Sequence, residues 1–309
     1  MLNETKPLRQ LVILSGKGGT GKTSVAAGLM HLSALSTNPG VFADADVDAA
    51  NLALVTEAVP LESHAYWGSQ SAEINAKLCD RCDLCFQICR FNAIHKPENP
   101  QQDYSVIDLL CEGCAACAYI CPQSAINMSK QQDGEWFHSR TPYGHLFHAE
   151  LFPGAENTGK LVTTVKQFAK LYAEDHNLKL MIIDGPPGIG CPAISASGGA
   201  DLALLVAEPG VSGLHDLERI IQTLDHFNVP RVVCINKADI YPTGTTDIEK
   251  MIESLGLTSV GMIPFDPAIS ESIIHGQPIT KFSLQSPAAL AIKDIWSKLE
   301  AILFTQDSK

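Results

Sequence analysis

Eight of the ten cysteines stand in two copies of one spacing, Cys79-x2-Cys82-x2-Cys85-x3-Cys89 and Cys111-x2-Cys114-x2-Cys117-x3-Cys121. Thiolates spaced in this way hold 4Fe-4S clusters, the fourth of each run ligating the cluster anchored by the other run. One cluster is therefore expected on Cys79, Cys82, Cys85 and Cys121, and a second on Cys111, Cys114, Cys117 and Cys89. Zinc usually takes two separated Cys-x-x-Cys pairs, whereas each run here is triple-spaced with a further thiol. A disulfide framework belongs to secreted chains, and the N-terminal MLNETKPLRQ has no apolar signal core. Of the other two cysteines, Cys234 lies in the apolar run RVVCIN and reads as a small core residue, while Cys191 follows GPPGIG.

The runs are an internal repeat. Leu78, Cys79, Ile88, Ala93 and Ile94 recur as Leu110, Cys111, Ile120, Ala125 and Ile126. One difference is that Pro122 follows Cys121, as the bacterial pattern prefers, while Arg90 follows Cys89. So short a segment has little core, and metal–sulfur bonds are expected to hold it folded.

A second set of residues suits phosphate chemistry. The apolar run Leu11–Leu14 leads into Gly16-Lys17-Gly18-Gly19-Thr20-Gly21-Lys22-Thr23-Ser24 and then a helix-forming stretch. In that context the loop predicts a phosphate cradle: glycines let backbone N–H groups converge, Lys22 reaches the terminal phosphates, and the Thr23 hydroxyl ligates magnesium. Further on, LMIIDGPPG delivers Asp184 from a buried strand to the magnesium shell, with Gly185–Gly188 placed to sense the terminal phosphate.

The elements that must position these residues are apolar strands at about 10–15, 41–45, 180–184, 202–207, 231–236 and 259–263, separated by helical stretches. They predict an α/β fold with a doubly wound, mainly parallel sheet covered on both faces, its ligand outside the carboxyl ends of the strands. The cysteine segment interrupts this order as an inserted domain, which gives 1–71 and 136–309 to the nucleotide domain and 72–135 to a bacterial-type two-cluster ferredoxin domain. Ile292, Ile295, Trp296, Leu299, Ile302 and Leu303 keep helical spacing, and the mixed charges around them predict a helix docked on the sheet. At 309 residues and 45% hydrophobic content, one large domain with a small insertion fits best. No apolar run approaches a membrane span, so a cytoplasmic chain with no membrane insertion is expected. The net charge of −12 disfavours nucleic acid and favours a basic protein partner.

Lys17, directly after the first glycine of the loop, resembles the signature lysine of the MinD/ParA superfamily of deviant Walker ATPases, which includes the nitrogenase iron protein and the Mrp-type carriers. The resemblance implies a nucleotide-dependent homodimer in which Lys17 reaches the other subunit's nucleotide. It implies that Asp46, in DADVDAANL, positions or activates the attacking water, with Asp44 supporting the magnesium shell and Asp48 a solvated charge. Asn236, in NKAD, looks like the family's base-contacting residue; ATP is favoured, although the tetrapeptide also resembles a guanine-reading motif. The chain as a whole resembles MinD-like P-loop ATPases with an inserted ferredoxin domain. Two segments of that resemblance, Glu156 to Val162 and Glu208 to Ile221, carry no assigned chemistry. Three functions compete on this reading: ATP hydrolysis coupled to electron transfer through two 4Fe-4S clusters to a redox partner; assembly or delivery of iron–sulfur or other metal cofactors to an accepting protein; and a ParA-like positioning switch with structural clusters. The lack of a Cys-x-x-Cys after Cys121 counts against a Mrp-type carrier.

Overall fold

The run Leu11–Leu14 forms the centre of β1 (Arg9–Ser15), where its side chains are fully buried. In the computed structural model, residues 8–99, 101–156, 159–210 and 212–304 are described. Of the two unassigned segments, Asn157, Thr158 and Val211 lie outside them. After β1 come α1 (Lys22–Leu35) and β2 (Gly40–Asp44), five buried residues ending in a carboxylate. The chain then passes through a short 3-10 turn at Leu54–Thr56 into β3 (Val59–Ile74). Next follow α2 (Leu84–Ile88), β4 (Ile94–His95), β5 (Ser105–Val106) and α3 (Ala116–Ile120). Two strands, β6 (Ile126–Thr141) and β7 (Gly144–Leu151), lead to α4 (Lys160–Asp175). Strands and helices then alternate: β8 (Leu180–Pro187), α5 (Cys191–Ser197), β9 (Leu202–Ala207), α6 (Gly213–His226), β10 (Arg231–Asn236), α7 (Pro242–Ser254) and β11 (Thr258–Ile263). Helices α8 (Ala268–Ile274), α9 (Ile279–Phe282) and α10 (Pro287–Phe304) close the chain.

The described residues divide into two compact units: one within Met1–Ser63, Trp136–Glu150 and Asn157–Lys309, the other within His64–Glu135 and Leu151–Glu156. In the first, β1 lies between β8 and β9, β2 and β7 follow beyond β8, and β10 and β11 follow beyond β9; these pairings are parallel. The mainly parallel α/β sheet expected from the sequence is formed. Alternation along each strand assigns its faces. Leu11, Ile13, Leu180, Ile182, Leu202 and Leu204 pack with α1 and α10, where Ile292, Ile295, Trp296, Leu299 and Leu303 are buried. Val12, Leu14, Met181, Ile183 and Leu205 are equally buried and face the other way, the side on which α4, α5 and α6 contact the sheet strands. Strands β3, β6 and β7 were not among those expected. The Val59–His64 stretch of β3 is exposed and β6 is rich in polar residues, so neither shows an apolar run. In β7 two histidines flank the buried Leu146–Phe147 pair.

The second unit repeats its backbone as well as its sequence. Helix α3 is α2 displaced by 32 positions, and positive φ recurs at the same displacement: Arg81 and Gly113, Asp83 and Ala115, Asn92 and Ser124. The backbone N–H of Ala93 donates to Cys89 Sγ at 3.3 Å, and that of Ala125 to Cys121 Sγ at 3.3 Å. At Gly113 the repeat needs glycine, because a Cβ there would stand 2.4 Å from the Gln70 carbonyl oxygen.

Candidate nucleotide site and cysteine cavities

Register brings the nucleotide residues together. Ile13 on β1 and Asp44 on β2 both pair with Asp184 on β8, so the glycine loop and two carboxylates leave the sheet at one edge. The loop ends at Gly21, whose φ of 86° turns the chain into α1 and aims the helix N-terminus at the cradle. A Cβ at Gly21 would stand 2.2 Å from Asn236 Nδ2, which donates to the Thr20 carbonyl at 2.7 Å. A cavity of about 530 Å³ opens over this edge, lined by Lys17–Ser24, Asp46, Asp48, Asn51, Pro186, Pro187, Gly190 and Pro192 among others.

Lys22 is almost fully buried, and its Nζ donates to Asp184 Oδ1 at 2.7 Å, with Asp46 Oδ2 at 3.7 Å. Burial opposes its charge, but Asp184, Asp46 and Asp44 together hold its titration above the usual lysine value. Burial, then the Asp184 charge, pushes Asp44 well above the carboxylate range, and its oxygens accept from the backbone N–H groups of Asp46 and Leu52. Asp44 thus fixes the turn that presents Asp46. Asp46 itself is pushed up to about 6 by burial, with Asp184 and Asp48 adding to the shift and Lys22 opposing it. Three buried polar atoms here, Thr20 Oγ1, Asp184 Oδ2 and Asn236 Oδ1, have no hydrogen-bond partner. Buried polar groups are nearly always satisfied, so these atoms suit a polyanionic ligand and its cation.

Lys17 is turned toward its own chain, with Nζ 3.2 Å from Ser212 Oγ and 3.9 Å from Glu208 Oε2. Glu208 also pairs with Lys237 at 2.8 Å, and Lys237 donates to the Gly19 carbonyl. Sequence reasoning gave Glu208 and Ser212 no chemistry, although a carboxylate just past an apolar strand and before Pro-Gly was a usable signal. Asp239, the last residue of NKAD, accepts from the Phe265 N–H at 2.6 Å.

All ten cysteines are free thiols; Cys234 is fully buried in β10, where burial pushes its thiol up to about 12, and Cys191 is exposed at the start of α5. Among the described residues no three His, Cys, Asp or Glu side chains close around a single metal ion. The eight repeat cysteines instead line two separate cavities. Cys79, Cys82, Cys85 and Cys121 line one, with Asp83, Tyr104 and Ile126 among their neighbours. Cys89, Cys111, Cys114 and Cys117 line the other, with Phe91, Ala93, Ile94 and Met128. Each cavity takes three thiols from one run and one from the other. That donor set and the N–H bonds to sulfur fit a four-thiolate cluster.

A parallel sheet with a glycine loop, a buried lysine and paired carboxylates at the carboxyl ends of its strands defines a P-loop nucleotide-binding protein. The model of the CobQ/CobB/MinD/ParA nucleotide binding domain family matches residues 11–279, and the chain belongs to that family. It is 33% identical over 300 residues to the uncharacterized protein MJ0578 of Methanocaldococcus jannaschii, covering 96% of this chain and 98% of that protein. It is 28% identical over 173 residues to a cytosolic Fe-S cluster assembly factor NUBP1 homolog of Caenorhabditis briggsae, covering 50% and 54% of the two chains. In fold it is similar to the septum site-determining protein MinD of Pyrococcus horikoshii complexed with Mg-ADP, with a TM-score of 0.59 at 19% identity, covering 98% of this chain and all of that one. No helix among the described residues is long and apolar enough to cross a membrane.

Proposed function

We propose that this chain is a dimerising, magnesium-dependent ATPase that couples nucleotide state to electron transfer through two 4Fe-4S clusters toward a protein partner. The observation that carries the reading is the division of eight thiols between two cavities, four apiece, in a chain whose other unit holds a complete phosphate loop. Lys22 neutralises phosphate charge once ATP draws it from Asp184, Thr23 and Asp184 hold the magnesium ion, and ionised Asp46 orients the attacking water. Gly16, Gly18, Gly19 and Gly21 admit the phosphates to backbone N–H groups, and Asn236 faces the base. Lys17 leaves Ser212 and Glu208 to reach the partner subunit's nucleotide. Cys79, Cys82, Cys85 and Cys121, and Cys89, Cys111, Cys114 and Cys117, would hold the clusters, which supply one-electron redox chemistry when bound. Ligation by four thiolates, one drawn from the opposite run, favours retention over release.

A second reading, assembly of iron–sulfur clusters, is favoured by the similarity to the NUBP1 homolog. Anaerobic reconstitution separates the two. Cluster potentials or re-oxidation rates that respond to Mg-ATP, with iron retained, support gated electron transfer. Nucleotide-independent potentials together with intact transfer of clusters to an apo-acceptor would overturn it in favour of assembly.

A further inference from the structure

We propose that α4 carries nucleotide state from the phosphate-sensing loop to the cysteine-bearing unit, and that Lys166 is the positioning residue that locks α4 to α5. This rests on the coupling of nucleotide and clusters proposed above. The loop Gly188–Gly190 runs directly into α5, and Gly190 and Pro192 line the nucleotide cavity beside Pro186 and Pro187. With only seven residues, α5 cannot hold its own position. Helix α4 holds it at both ends. Gly159, immediately before α4, has φ 82°, and a Cβ there would stand 2.5 Å from Ser195 Oγ and 3.1 Å from the Cys191 carbonyl oxygen, so the approach requires glycine. At the other end Lys166 Nζ donates to the carbonyls of Ser195, Ala196 and Gly198 at 3.0, 2.6 and 2.7 Å. All three ammonium protons are committed to the end of one short helix. An apolar side chain would fill the same buried space more cheaply but could not fix α5 against α4.

Helix α4 also bears on two of the four places where the chain passes between units. Phe168 stacks on Trp136 at 4.1 Å and 17°, and Trp136 is the first residue of the nucleotide unit after Glu135. A second passage follows Glu156, a few residues ahead of α4 in the sequence. A shift of the phosphate-sensing loop that moves α5 therefore moves α4, and with it these two of the four passages.

The test uses the full chain with reconstituted clusters and reads two quantities: kcat and KM for ATP, and the rate at which a ferrous chelator strips iron with and without Mg-ATP. For Lys166→Met, kcat falls roughly tenfold with KM unchanged, and the nucleotide effect on stripping is lost; Lys166→Arg restores both. Phe168→Leu, at a partly exposed position outside the nucleotide site, keeps wild-type kcat and loses the nucleotide effect, and it carries the test if Lys166→Met does not fold. A Lys166→Met or Phe168→Leu protein that keeps the wild-type nucleotide effect overturns the link alone. A wild-type protein whose stripping rate ignores Mg-ATP overturns the coupling itself, and the link with it.

Discussion

Asp46 sits where several charges compete, and its titration near pH 6 follows from burial and two neighbouring carboxylates outweighing Lys22. Only the ionised form can orient water, so basal hydrolysis is expected to fall as pH drops through about 6. Asp46→Asn should remove hydrolysis at every pH while ATP still binds; steady-state kcat against pH, with nucleotide titration of the variant, measures both. A variant that hydrolyses ATP at the wild-type rate would exclude Asp46 from the reaction. The sequence presented Lys22, Asp46 and Asp184 as separate motifs. Their mutual distances, and the unpartnered oxygens of Thr20, Asp184 and Asn236, come from long-range pairing that no local pattern encodes.

At the scale of elements, the cysteine repeat makes its own test. The left-handed position held by Arg81 in the first copy is held by Gly113 in the second, where a Cβ would stand 2.4 Å from the Gln70 carbonyl oxygen. Gly113→Ala should therefore distort the cavity of Cys89, Cys111, Cys114 and Cys117 and lower the iron bound after reconstitution from about eight toward about four per chain; Arg81→Gly should keep the full amount. Unchanged iron in Gly113→Ala would mean that the close approach does not shape the cavity. On β7, burial alone pushes His148 down to about 4, while its Nε2 meets Ser139 Oγ at 2.8 Å. The unfolded chain takes up this proton near pH 6.5, so the stability held above that pH is lost as pH falls toward 4, on the order of 2 kcal/mol by pH 5. Urea unfolding at pH 7 and pH 5 should show the loss in wild type and a flatter response in His148→Phe; equal slopes would refute the assignment. Neither effect was legible beforehand: the Gly113 contact joins residues 43 apart in the chain, and β6 and β7 lack the long apolar run that marks a buried strand.

Across the whole molecule, the signature lysine is engaged by its own chain at Ser212 and Glu208, so a closed dimer has to draw Lys17 away from them. Lys17→Ala should bind Mg-ATP and remain monomeric in sedimentation velocity, at concentrations where the wild-type chain dimerises; a nucleotide-bound Lys17→Ala dimer would remove Lys17 from the interface. By itself the sequence determined the phosphate loop, the two cysteine runs with their expected three-plus-one exchange, and the positions of the main strands along the chain, because each is written in nearby residues with fixed spacing. Only the tertiary structure decided that Glu208 and Ser212, in an unassigned segment, hold Lys17, and that Gly159 and Lys166 tie α4 to α5. The physical reason is common to both: contacts between residues far apart in the chain depend on how the strands are ordered in the sheet and on helix packing, which spacing along a sequence does not record.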